Sequence, residues 1–366
     1  MAQSRKMLIL RAVIEDYIRS QEPVGSSALA HHHDLGVSSA TIRNDMAALE
    51  EEGYLIQPHT SAGRIPTEHG YRYFVDRLST AVSLSEAQRR GIRKFLSNSI
   101  SLQDTLQRAA RILAGITGQV AVISSPSLSK STLRHIELVP LATSQLLAVV
   151  ITDAGGVAQH TLKVPRIPSQ HDLDALCSTI NARCTGLLLS RASRIIRALD
   201  GDATMRQWRP VSQALAEALQ NMADNEQTAD LYMAGTSRLV HQHAVYDLAP
   251  LFDALEEQVV LMKLMSALSE EHEGVRVAIG SETHNPGLLN AAVITSGYGG
   301  QDSRQTPVET NSTAVDDAGG RDSAPVAFVG SIGPTHMNYS ETMAAVRAVA
   351  RYLSELLAHG EESERF

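Results

Sequence analysis

The sequence is poor in aromatics and cysteine and has no long apolar run. Phe, Trp and Tyr together make up 4% of its 366 residues, so its cores must be aliphatic, built on Leu, Val, Ile and Ala. Two cysteines, Cys177 and Cys184, exclude both a disulfide framework and a structural zinc module. No stretch approaches the roughly 18 apolar residues that a membrane-spanning helix needs. The N-terminal segment from Met1 to Lys6 runs into Arg11, Glu15 and Asp16, and so lacks the apolar centre of a signal peptide. A cytoplasmic protein without a membrane partner is expected. Excess positive charge is missing too. With 32 Lys and Arg against 40 Asp and Glu, the formal net charge is −8. That excludes a chain that coats nucleic acid by bulk charge, but not a local reading head. The phosphate-cradling glycine motifs and H-E-x-x-H are absent, as is the G-x-S-x-G nucleophile elbow. Neither enzymatic activity nor a cofactor is expected.

What is present suits two or three globular domains, at about 150 residues each. The first 80 residues are dense in helix and turn signals. Residues 85 to 116 read as helix, with Ile92, Leu96, Ile100, Leu106 and Ile112 mostly at helical spacings. Three apolar runs follow, Gln119–Ser124, His135–Leu141 and Gln145–Thr152. The Asp153-Ala154-Gly155-Gly156 turn then leads into Val157–Val164, and the whole reads as an antiparallel meander. Helical patterns return from about 170 to 272, including an apolar stripe of Leu251, Phe252, Leu255, Val259, Met262 and Met265. This stripe fits either the core of the helical block or a subunit seam. Strand-like runs reappear at Val275–Gly280, Ala291–Ser296 and Val326–Ser331, before a closing helix from Ser340 to about His359. Strands, helices and strands again predict an α+β domain interrupted by another. Residues 299–324 have almost no large apolar side chain, and are expected to form a disordered surface loop.

The most patterned stretch lies in the first eighty residues. Leu8, Ile9, Ala12, Val13, Tyr17 and Ile18 predict a first amphipathic helix. Ser26 or Ser27 is placed to cap a short second one, which Gly36 ends, and a serine in Val37-Ser38-Ser39-Ala40 can cap a third. Two helices joined by a short glycine-containing turn form a helix-turn-helix. At 100° per residue, Ile42, Met46 and Leu49 fall within about 60° of one another and should face the core. Ala40, Arg43, Asn44 and Ala47 fall on or near the opposite side, with Ser39 and Thr41 at the helix start. Arg matches guanine and Asn matches adenine in bidentate fashion, while small residues allow close approach to a groove. Gly53 should end the helix, and Tyr54-Leu55-Ile56 and Ile65 should form two strands. The turn between them carries His59, Thr60, Ser61, Gly63 and Arg64. Such a wing is suited to phosphate oxygens or a minor groove. Thr67 can then cap a helix carrying Tyr71, Phe74, Val75 and Leu78. Residues 1–78 hold eight basic and ten acidic side chains, so a basic footprint must come from placement rather than total.

Several of these segments resemble one family closely. Glu22-Pro23-Val24-Gly25-Ser26, Ser38–Met46, His59–Thr67 and Gly70-Tyr71-Arg72-Tyr73-Phe74 are similar to the bacterial heat-inducible transcription repressor family HrcA. The likeness continues through Gly235–Leu239, Ala278–Glu282 and Gly333–Tyr339, with His336 standing where the family usually has Arg. The resemblance implies a dimeric repressor of chaperone operons that binds an inverted-repeat operator, CIRCE. It also implies dependence on the GroEL chaperonin for the active state. The implied architecture is a winged helix over 1–80 and a GAF-like domain in two parts, 85–164 and 273–360. A largely helical dimerisation domain over 165–272 is inserted between those parts. The rival reading is a regulator gated by a small molecule in the GAF-like domain.

Other constellations point to less. His31-His32-His33 reads as a surface polar run, since consecutive helical residues point about 100° apart and cannot easily share one ion. His241-Gln242-His243 lacks neighbouring ligands in the sequence. Cys177 and Cys184, seven apart, should lie near one helix face as buried small hydrophobes.

Overall fold

The fold is that of a computed structural model, which describes residues 2–59, 62–78, 84–97, 99, 101–127, 131–153, 155–198, 208–224, 230–238, 245–270, 274–299 and 325–359. The chain begins with α1 (Ala2–Ser20), α2 (Ser26–His32) and α3 (Ser39–Glu51), then β1 (Leu55–Ile56), β2 (Ile65–Pro66) and α4 (Glu68–Leu78). In α1 the buried apolar side chains are Ile9, Leu10, Ala12, Val13 and Ile14, whereas Leu8 is exposed. The inward face is therefore rotated from the expected one, because α1 is covered on two sides, by α3 and by α4. No serine side chain caps α2: Gly25 holds that position and Ser26 is buried in the first turn. Thr67 does receive the Gly70 N–H, at 3.1 Å, as the start of α4 requires.

The expected helix over 85–116 is two helices, α5 (Glu86–Leu96) and α6 (Leu102–Thr117). Each has its own serine cap, Ser85 in a reciprocal capping box with Gln88 and Ser101 accepting from the Asp104 N–H. Ile100 lies outside the described residues. The strands that follow divide between two sheets. β4 (Leu133–Ala142), β5 (Gln145–Thr152) and β6 (Val157–Lys163) form the antiparallel meander, in which Ala154 of the connecting turn lies outside the described residues. β3 (Val120–Ser124) does not join them. It sits in a five-stranded antiparallel sheet of order β7-β3-β10-β9-β8, with β7 (Leu231–Ala234), β8 (Val275–Ile279), β9 (Ala291–Tyr298) and β10 (Ala327–Pro334). Its partner β10 lies some two hundred residues away, with Val329 opposite Ile123 and Ile332 opposite Val120. Nearness in the chain predicts pairing only when nothing better is available, and β3 is apolar on both faces.

That two-faced burial explains the grouping of the remaining elements. Alternate residues of a strand point to opposite sides. Ala121, Ile123, Ala292, Ile294 and Val329 pack under α6 and the closing helix α12 (Tyr339–His359). Val120, Val122, Val293, Phe328 and Ile332 pack under α10 (Val245–Glu256) and α11 (Gln258–Glu270). The 251–265 stripe thus covers the second face of this sheet, through Leu251, Leu255 and Met265, and is not the core of the inserted block. Val259 is left exposed, and Leu261 is buried in its place, because the helix restarts at Gln258. α7 (Gln170–Cys184), α8 (Leu189–Ala198) and α9 (Arg209–Asp224) share a separate core with the meander, including Ile136, Leu146, Val150, Leu173, Cys177 and Cys184. The elements therefore group differently from the expected division at 165 and 272. The meander goes with α7–α9, and α10 and α11 go with the large sheet. Residues 300–324 of the expected disordered loop lie outside the described residues.

The winged helix is fastened to the large-sheet body by polar contacts from α4. Glu68 accepts from the Ser281 N–H at 3.2 Å and from its hydroxyl at 2.6 Å. Arg72 donates through Nε to Glu282 at 2.8 Å and through Nη2 to the Val277 carbonyl at 2.7 Å. Gly280, with φ +50°, lets the Glu68 carboxylate lie against its backbone, where any Cβ would collide with it.

Candidate nucleic-acid interface

The reading helix α3 is held by one face and presents the other. Ser38 caps it, accepting from the Thr41 N–H at 3.3 Å. Ile42, Met46 and Leu49 are fully buried, while Ala40, Arg43 and Asn44 are exposed and Ser39, Thr41 and Ala47 half-buried. The angular reading of the sequence is therefore the observed one. The helix is tied to α1 by the bidentate Arg5–Asp45 pair, at 2.7 and 3.2 Å, and by Lys6–Glu52 at 2.5 Å. Asp45, which at 100° per residue falls beside Leu49 at the edge of the core face, is buried and paired with Arg5. α3 ends at Gly53, whose φ of +79° suits a residue without a side chain.

The wing is anchored by residues that periodicity does not reveal. β1 and β2 pair Leu55 with Pro66 and Ile56 with Ile65. Glu50, at the end of α3, accepts from the Gln57 N–H at 3.2 Å and from Arg64 Nε at 2.9 Å. Gln57 in turn donates to the Ala62 carbonyl at 2.9 Å. Arg64 also exchanges two backbone hydrogen bonds of 2.9 Å with Val24, between α1 and α2. A Cβ on Gly63 would stand 2.4 Å from the Val24 carbonyl carbon and oxygen, so glycine is required there by close approach of two backbones. His59 is exposed at the turn, and Thr60 and Ser61 lie outside the described residues. The structure thus gives Arg64 a carboxylate partner, and a phosphate contact by its guanidinium would compete with that pair. The signal that could have pointed to Glu50 was its acidity near an otherwise donor-rich wing.

Electrostatically the unit is frugal. Of the eight basic residues in 1–78, seven are engaged. Arg5, Lys6, Arg11, Arg19, Arg64 and Arg72 face carboxylates within 4 Å, and Arg77 lies 3.5 Å from the centre of the Tyr73 ring. Arg43 has no such partner among the described residues. His32 and His33 are not simply solvated, since they contact the buried Asp16 at 3.2 and 3.0 Å. Burial alone would raise the Asp16 carboxyl, but the hydrogen bonds to His33 and His32 outweigh it and hold the group below its ordinary range. Among the described residues no group of three or more His, Cys, Asp or Glu side chains is placed to hold a metal ion. None of the described helices is long and apolar enough to cross a membrane. His241 and His243 lie outside the described residues.

A capped helix-turn-helix with a two-stranded wing and a partner-free Arg on the outer helix face defines a DNA-binding transcription regulator. Comparison with known proteins agrees and goes further. A family model for a DeoR-like helix-turn-helix domain matches residues 11–68, and one for the HrcA protein C-terminal domain matches residues 103–343. The heat-inducible transcription repressor HrcA of Bifidobacterium adolescentis is 64% identical over 99% of this chain and 99% of its own length. Its counterpart in Pseudarthrobacter chlorophenolicus is 44% identical over 98% and 99% of the two chains. The crystal structure of a hypothetical protein has the same fold, with a TM-score of 0.60 at 23% identity, covering 97% of this chain and 98% of that one. The chain belongs to the HrcA family of heat-inducible transcription repressors.

Proposed function

We propose that this chain acts in the cytoplasm, without catalysis, as a homodimer that represses chaperone operons by binding a CIRCE-type inverted repeat in double-stranded DNA. The observation that carries the reading is the exposed Ala40–Arg43–Asn44 face of α3 beside an anchored wing. Arg43 and Asn44 read base edges, Ala40 and Ala47 permit close approach, and Ser39 and Thr41 serve phosphates at the helix start. His59, Thr60, Ser61 and the Gly63 backbone supply the wing's contacts. Arg64 chiefly fixes the wing against α3.

An inverted repeat mirrors a two-fold protein, and the meander offers a surface for the second copy. β5 is buried at alternate residues under α7–α9, which leaves Leu147, Val149 and Ile151 on its outer face. Beside them stand Val139, opposite Leu147, and Val157, opposite Ile151, which are 41% and 60% exposed. An apolar sheet face of this kind is normally covered. The inserted dimerisation domain is accordingly β4 to α9, and the GAF-like domain comprises the large sheet with α5, α6, α10, α11 and α12.

Heat relieves repression through loss of the folded, dimeric state, since only that state binds DNA. A GroEL-type chaperonin replenishes it, so client proteins that occupy the chaperonin lower the supply. The relatives' naming as heat-inducible favours this over gating by a small molecule. Footprinting on DNA upstream of the chaperone genes in the same genome tests the proposal. Two symmetrical protected half-sites are expected, and no protection above that of random DNA would contradict it.

A further inference from the structure

Among the described residues the winged helix has one partner-free cation, Arg43, yet sequence-independent DNA affinity comes from neutralised phosphates. The missing charge stands on the next element of the chain. α5 follows the winged helix after residues 79–85 and carries Arg89, Arg90, Arg93 and Lys94 against a single acidic residue, Glu86. All four cations are exposed, and among the described residues none has a carboxylate within ion-pair distance. On a helix at 100° per residue they fill one continuous arc of about 140°. That arc adjoins Ile92 and Leu96, the two residues by which α5 is anchored. The helices packed against α5, α6 and α12, carry the exposed cations Arg111 and Arg351 alongside the acids Asp104 and Glu355. In a chain of net charge −8, this is a strong local segregation of positive charge.

We propose that the basic face of α5 binds the phosphate backbone of DNA outside the bases read by α3, and supplies most of the chain's salt-dependent affinity. The inference rests on the operator-binding reading above and names the surface that reading lacks. DNA is favoured over other polyanions by continuity, because α5 is the first element after a DNA-reading unit whose own cations are nearly all engaged. Phosphate contacts of this kind position a protein without specifying sequence. The face should therefore act equally on operator and random flanks.

The test uses the full-length protein with all four cations replaced, Arg89→Gln, Arg90→Gln, Arg93→Gln and Lys94→Gln. A milder variant changes only Arg90 and Lys94, the pair farthest from the buried stripe. Affinity for the operator, with short and long flanks, and for random duplex is measured against salt concentration. Each lost phosphate contact lowers the slope of log affinity against log salt by about 0.9. The fourfold variant should lose between about 2 and 4 of that slope, weaken on both duplexes alike and no longer gain from longer flanks. Replacing Arg89, Arg90 and Arg93 by Lys should keep the slope. An unchanged slope in a variant that still footprints the operator would overturn the inference and leave the operator reading intact. So would unchanged DNA binding with loss of binding to anionic vesicles or to chaperonin. Failure of the unaltered protein to footprint any operator would instead remove the reading itself.

Discussion

At the scale of single residues, burial decides what chemistry remains available. Cys177 lies in the core between α7 and the meander, 5% exposed. Burial pushes its thiol up to about 11, and burial raises Cys184 as well. A thiol whose folded value is raised stabilises the fold fully below its unfolded value of about 8.5. That contribution is lost as pH rises towards the folded value. Both cysteines should therefore resist thiol reagents in the native protein at pH 8 and react at once after denaturation. Rapid native labelling at that pH would contradict the described core. Gly63 is a second case. Its lack of a side chain admits the Val24 backbone, so Gly63→Ala must displace the wing or the α1–α2 segment. Overpacking of this kind costs about 1–3 kcal/mol. A lower melting temperature and weaker binding to operator and random DNA alike are expected, and an unchanged melting temperature would refute the close approach.

At the scale of elements, the sequence was most legible where one periodicity governs. Ile42, Met46 and Leu49 had to face inward together, and the Thr67 cap and a serine cap of α3, which the structure assigns to Ser38, followed from hydroxyls placed just before apolar periods. The strands of the wing were bounded by Gly53 and the turn residues around Gly63. Legibility failed where contacts join distant parts of the chain. β3 looks like the first strand of the meander, but both its faces are apolar and only the large sheet can bury both. The 251–265 stripe is, Val259 apart, an apolar face whose partner, the outer side of that sheet, is assembled from strands before and after it. Glu50 carried no role in the sequence pattern, because a tie to Arg64 fourteen residues on leaves no periodic trace. Replacing Glu50 by Gln should loosen the wing by removing a charged acceptor from Gln57 and Arg64. Operator affinity should fall several-fold while thermal stability changes little. An equal loss of both would make Glu50 a structural residue only.

At the scale of the molecule, the junction between winged helix and body combines polar ties with a shared apolar core. Glu68 and Arg72 hold the 3₁₀ turn that starts at Gly280 (Gly280–Thr283), and Tyr71 packs against Tyr339 at the start of α12 with ring centres 5.7 Å apart. In the proposed dimer, such a junction would fix where the two reading heads stand relative to one another. Arg72→Ala and Glu282→Ala should be coupled, with an interaction energy of about 1 kcal/mol in a double-mutant cycle on unfolding. Additive effects would show that the pair does not hold the junction. Heat response belongs to this scale as well. After brief heating, operator binding should return with chaperonin and ATP, and only partly without them. Complete spontaneous recovery would argue that a bound effector, rather than refolding, sets activity.

The central claim is that α3 reads an operator through the side chains it presents. Titration of the operator and of random duplex with the unaltered protein and with Arg43→Ala tests it most directly. Loss of a bidentate base contact should cost about 1–3 kcal/mol on the operator. Random DNA should be affected far less, and discrimination should relax at one base position of each half-site. Arg43→Ala binding the operator as tightly as the unaltered protein, with unchanged base preference, would contradict the account.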